Sequence, residues 1–148
     1  MARYKEAVVH DAFAPHLHPG EPLQSWAYGV KQPSMLLIFP LFLLAIVPGA
    51  IAVALLTQEY LVGLTDRRVL VLRVKGGKAE VLEVTEYGLE ESVALEAKTG
   101  KLFAHVTIED DARPFQAKFH RMGAPQNHEH VAEIVAALET PARRVAAA

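Results

Sequence analysis

The dominant feature of the hydrophobic pattern is a run with no polar interruption. Met35 to Leu56 reads MLLIFPLFLLAIVPGAIAVALL, without a charged or strongly polar residue. Roughly 20 such residues cross the ~30 Å hydrocarbon core of a bilayer as one helix. Stretched to Ser34 and Thr57 the run meets that length, and Pro40 and Pro48 do not forbid a span, because membrane helices tolerate proline. Two other readings compete. Pro48-Gly49 is a turn dipeptide that would divide the run into two arms, able to dip into one leaflet but too short to cross. The run could also be the core of a soluble domain. Membrane association is the expectation adopted, through a transmembrane or re-entrant helical segment over residues 35–57.

Beyond the run the period changes to two. Glu59–Thr65, Arg68–Val74, Ala79–Thr85, Leu102–Glu109 and Pro114–Phe119 predict short strands, with turns at Asp66, Lys75-Gly76-Gly77-Lys78 and Asp110-Asp111. Leu89–Ala97 fits helix or strand, the strand reading centred on Ser92–Glu96. The period then becomes helical: Val131, Ile134, Val135 and Leu138 predict an amphipathic helix over 127–139, with Asn127 as N-cap and Pro141 just past its end. Ahead of the run, residues 1–34 are punctuated by prolines and hold one strand, Leu23–Val30. The expected organisation is an N-terminal segment (1–34), the apolar segment (35–57), a β-domain (58–140) and a frayed tail (141–148). Its sheet would be an antiparallel meander with one apolar face, covered by the terminal helix.

Composition narrows the choices. The 148 residues carry a net charge of −2 with a pI near 6.4, so no global field argues for nucleic acid. The absence of cysteine excludes disulfides and thiolate metal sites. The run starts at residue 35 and lacks a small-x-small cleavage site, so it reads as an anchor and not as a cleaved signal. Arg3, Lys5 and Lys31 precede it, whereas Arg67, Arg68, Arg73, Lys75 and Lys78 follow closely. The positive-inside rule then places the C-terminal domain in the cytoplasm. Trp26, Tyr28 and Lys31 before the run and Tyr60 after it would sit at the membrane interface.

Gly20-Glu21, an apolar insert, and then Tyr60-Leu61-Val62-Gly63-Leu64-Thr65-Asp66-Arg67-Arg68-Val69-Leu70 resemble the bacterial PH-like domains. The resemblance covers roughly Gly20 to Glu139 and rests on the strand-turn-strand signature, the glycine hairpin after it and the terminal helix. It implies a mainly β fold, a PH-like antiparallel barrel or sandwich with one C-terminal helix, at a bacterial inner membrane. Membrane-inserted relatives usually carry two helices in the insert. A single span would separate Leu23–Val30 from its sheet, so the resemblance favours a re-entrant hairpin. Independently of any family, Thr65 and Asp66 can hold a tight turn and Arg68 can reach a carboxylate on a neighbouring strand, which reads as fold-forming.

Candidate chemistry is sparse. In lipid-binding PH domains the hairpin equivalent to Arg67–Lys78 docks anionic headgroups, which makes Arg67, Arg68, Arg73, Lys75 and Lys78 the lipid- or partner-binding candidates. His16-x-His18 and His128-x-His130 lack the spacing and carboxylates of a metal site, and Glu109-Asp110-Asp111 lacks a calcium loop's glycine. Ser25, Ser34 and Ser92 have no nucleophile-elbow setting, and Glu90-Glu91 is a poor acid–base pair. The expected function is therefore non-enzymatic and cofactor-free: a membrane-anchored PH-like interaction module, an accessory subunit or adaptor of a membrane complex. The alternative is an anionic-headgroup-binding module. Its partners would be membrane lipids and a protein of that complex, with self-association left open and the open sheet edge ready for a partner strand.

Overall fold

A computed structural model of the chain describes residues 3–31, 35–90 and 94–147, and the side chains of all of these but Met35, Leu37, Leu41, Ala54 and residues 140–147. Ser34, Glu91, Ser92 and the start of the 92–96 strand reading lie outside the described residues. The elements are α1 (Glu6–Phe13), a 3-10 turn (Ala14–His16), β1 (Leu23–Lys31), α2 (Met35–Leu44), α3 (Ile46–Leu56), β2 (Gln58–Thr65), β3 (Arg68–Lys75), β4 (Glu80–Gly88), β5 (Leu95–Thr99), β6 (Phe103–Ile108), β7 (Phe115–His120) and α4 (Asn127–Ala147).

The seven strands form one antiparallel sheet in the order β4-β3-β2-β1-β7-β6-β5. Its edges, β4 and β5, are not paired to each other, so the sheet is open. The expected barrel or sandwich with a single C-terminal helix is thereby corrected to an open sheet with four α-helices. The two meanders meet where β1 adjoins β7, with Val30 opposite Lys118.

Side-chain alternation explains why helices are needed on both faces. Val69 and Val71 of β3, with Val62 and Leu64 of β2, face a core closed by Val131, Ile134 and Leu138 of α4. Leu70, Leu72 and Val74, with Leu61, face the opposite core, closed by Val9, Ala12 and Phe13 of α1. Strands buried on both faces read as continuous apolar runs, as RVLVLRV does. The sheet therefore has two apolar faces here, where one was expected. Gly63 lets α1 approach: a Cβ there would lie 2.6 Å from the Phe13 ring.

The apolar run is two helices, broken at Ala45, whose backbone is extended (φ −168°, ψ 135°). At 1.5 Å per residue, 10 and 11 residues span roughly 15–17 Å each, about half a hydrocarbon core. Among the described residues no helix is long and apolar enough to cross a membrane. This overturns the expected transmembrane helix. With it go the membrane-anchored adaptor function and the assignment to a bacterial inner membrane with a cytoplasmic C-terminal domain. The physical reason lies in the strand register. Lys31, where the chain leaves β1, is paired directly with Gln58, where it re-enters as β2. Residues 32–57 thus depart and return to the same place, which a single crossing cannot do. Pro48 does not make the break. It falls in the first turn of α3, where its missing N–H is not needed.

Candidate functional site

The helical hairpin α2–α3 packs on itself more than on the sheet. Among its described side chains eight apolar ones, from Leu36 (89% exposed) through Leu44 (84%) to Leu55 (79%), are more than half exposed. A helix that is hydrophobic all round is normally buried, whereas this hairpin presents its apolar side chains at the surface. Gly49, in the first turn of α3, is buried. The break between the helices is also chemically unfinished. No side chain caps the first turn of α3, and among its leading N–H groups Gly49 bonds back to the Ala45 carbonyl.

A groove of about 590 Å³ opens at the root of the hairpin. Leu55 and Leu56 of α3 and Leu82 of β4 form its apolar wall, and Arg3, Arg73 and Lys75 bring charge to it. Beside it, Glu59 at the start of β2 accepts hydrogen bonds from Arg3 Nε (2.9 Å), Tyr28 Oη (2.8 Å) and Tyr4 Oη (3.1 Å). Burial pushes the Glu59 carboxyl up, but the hydrogen bonds from Arg3 and Tyr28 outweigh it and hold the group below its ordinary range. Burial, then Glu59, pushes Tyr4 up to about 12, and Tyr28 is raised by the same causes. This cluster ties the N-terminal segment to β1 and β2, and Tyr4 also reaches the Gly76 carbonyl in the β3–β4 turn (3.0 Å).

The five cations proposed from the sequence do not form one patch. Arg67 is exposed in the β2–β3 turn beside Asp66 (3.7 Å). Lys75 and Lys78 lie at the far end of β3, roughly 20 Å away at ~3.3 Å per residue. Arg73 stands between them on β3, near Glu83 at 3.6 Å. Arg68 is buried and occupied. Its Nε and Nη2 clamp Glu21 (3.0 and 2.8 Å), Nη1 reaches Glu86 of β4, and Nη2 also donates to the His16 carbonyl. Thr65 Oγ1 donates to Glu21 (2.8 Å) and accepts the N–H groups of Arg67 and Arg68 (3.1 Å each). The Gly-Glu and Thr-Asp-Arg-Arg elements of the motif are therefore two halves of one buried ion-pair lock. The Arg68 hydrogen bonds in particular hold the Glu21 carboxyl down at about 2.

Of the residues expected at a membrane interface, Trp26 is buried beneath α1 and Tyr28 is half-buried on Glu59. Tyr60 is half-buried edge-on to Phe115, and Lys31 is exposed at the end of β1. Ser25 donates to Glu133 of α4, and His130 Nδ1 lies 2.8 Å from the Trp26 carbonyl. Among the described residues no group of three or more His, Asp or Glu could hold a metal ion. Sequence reasoning missed Arg3, Tyr4 and Glu59. The only signal was composition, since their contacts bridge more than 50 residues. No family model, curated protein or solved structure matches the chain.

Proposed function

We propose that this chain is a protein-interaction module whose docking element is the α2–α3 hairpin, held out by the sheet and inserted into a partner protein. The observation that carries this reading is the exposure of the hairpin's uncharged surface. Burying a leucine-sized side chain is worth ~1.5–3 kcal/mol, equivalent to ~60–120 Å². Eight side chains more than half exposed then offer roughly 300–800 Å², up to one partner's ~800 Å² share of a standard interface. The uncapped break at Ala45 favours protein over hydrocarbon as the surroundings. Unpaired backbone groups cost several kcal/mol each in lipid, whereas a protein can supply donors and acceptors.

A photo-crosslinking residue placed at Leu44 in the living host tests this. The expected result is a discrete protein adduct, absent when the probe stands at the exposed Lys98. An adduct of two copies of this chain would identify the partner as the chain itself. Adducts to lipid alone, or none, would overturn the reading.

A further inference from the structure

We infer that the groove at the hairpin root docks an acidic, apolar-flanked segment of the partner: an Asp or Glu carboxylate beside a leucine-sized side chain. This rests on the protein-partner reading above. At about 590 Å³ the groove falls within the ~300–1,000 Å³ range of sites that enclose a small ligand or a few side chains. Its wall of Leu55, Leu56 and Leu82 is left about half exposed or more, as apolar surface open to a side chain of the same kind.

The charges select what accompanies that side chain. Arg3 is committed to Glu59 by a 2.9 Å hydrogen bond. Arg73 faces Glu83 at 3.6 Å, too long for a hydrogen bond, and Glu83 is largely in solvent. Lys75 has no ion pair among the described residues. Glu59, the carboxylate on the lining, already accepts three donors. An arriving carboxylate therefore finds Lys75 without an ion pair and Arg73 held only by the solvent-exposed Glu83, while an arriving cation meets two like charges. The hairpin itself, with no charge from residue 32 to residue 58, cannot fix the register of a partner. A carboxylate caught at Arg73 and Lys75 can, which is how complementary charge confers specificity on an apolar contact.

The experiment is fluorescence anisotropy of a dye-labelled Leu-Leu-Glu-Leu peptide, amidated at its C-terminus, titrated with the full chain. The same peptide with Gln in place of Glu is the comparison. The expected result is saturable binding, weakened about five-fold or more by the Gln peptide and likewise by Lys75→Glu or Leu82→Ser, with Lys98→Glu unchanged. Both side chains are exposed, so neither substitution threatens the fold. Equal binding of the two peptides, indifference to Lys75→Glu, or no binding would overturn the inference. If the Leu44 adduct persists while the peptide fails, the groove proposal alone falls. If the adduct is also absent, the interaction reading falls with it.

Discussion

Replacing Glu21 with Gln removes the anion at the centre of the buried lock and leaves the shape almost unchanged. Glu21 accepts two bonds from Arg68, one from Thr65 and one from the His18 N–H at 3.0 Å. Its carboxyl is held at about 2 against 4.5 when unperturbed. At ~1.4 kcal/mol for each tenfold, that depression is worth roughly 3 kcal/mol at neutral pH. Truncating one member of a buried ion pair costs a similar ~3–5 kcal/mol. Arg68 keeps Glu86 as a counter-ion, so the lower figure applies. Because the folded carboxyl binds its proton less readily than the unfolded one, the unfolded state takes up more protons between these two values. The stabilisation is therefore complete above about 4.5 and lost as pH falls through about 2. Trp26, the single tryptophan and a buried one, reports unfolding by its fluorescence in urea. Glu21→Gln should be about 3 kcal/mol less stable at pH 7, and the gap from wild type should narrow toward pH 2. A loss below ~1 kcal/mol, or a gap that does not change with acid, would refute the lock.

Four further outcomes are expected. Replacing residues 32–57 with Asn-Gly joins the directly paired Lys31 and Gln58 by a two-residue turn. The trimmed chain should fold and gain up to ~2 kcal/mol from the shorter loop, measured by urea denaturation. Asn127→Ala strands Tyr28 N–H, Tyr28 C=O and His120 C=O, and should cost about 3 kcal/mol in the same assay. Gly63→Ala drives a methyl group into Phe13 and Leu23, and thermal melting should show a loss of about 1–3 kcal/mol. Burial holds Tyr4 at about 12 against 10, so its contribution is intact below pH 10 and lost as pH rises through about 12; Tyr4→Phe should flatten the alkaline limb of the stability profile.

Much of the sheet was legible because its strands alternate, and Phe115, Ala117 and Phe119 or Ala104, Val106 and Ile108 do face the core. The buried face of α4 was legible for the same reason. Its length was not, since the helix runs through Pro141 to Ala147. The helix α1 was missed because eight residues with Val9, Ala12 and Phe13 as buried positions show too little periodicity. What fixes it is tertiary, the wedge of Phe13 against Gly63. The apolar run was recognised but its break was misplaced. Ala45 is no helix breaker, and the turn there is set by the need to return from Lys31 to Gln58. The candidate site was the least legible part. Neighbours in sequence such as Arg68 and Lys75 are parted by the length of a strand, while Arg3 and Arg73 are brought to one groove from distant positions.

The placement of the hairpin between two paired strands has a consequence for the birth of the molecule. A ribosome adds ~5–20 residues per second, starting from the N-terminus. When Tyr28 emerges, its partner Asn127 lies 99 positions ahead, or roughly 5–20 s away. The hairpin, residues 35–56, is synthesised before any strand that pairs with β1. The nascent chain therefore displays its stickiest segment while the domain that will carry it is still being made. A partner present at the ribosome would meet the hairpin sequence on an unfinished protein, before the sheet that will carry it is complete.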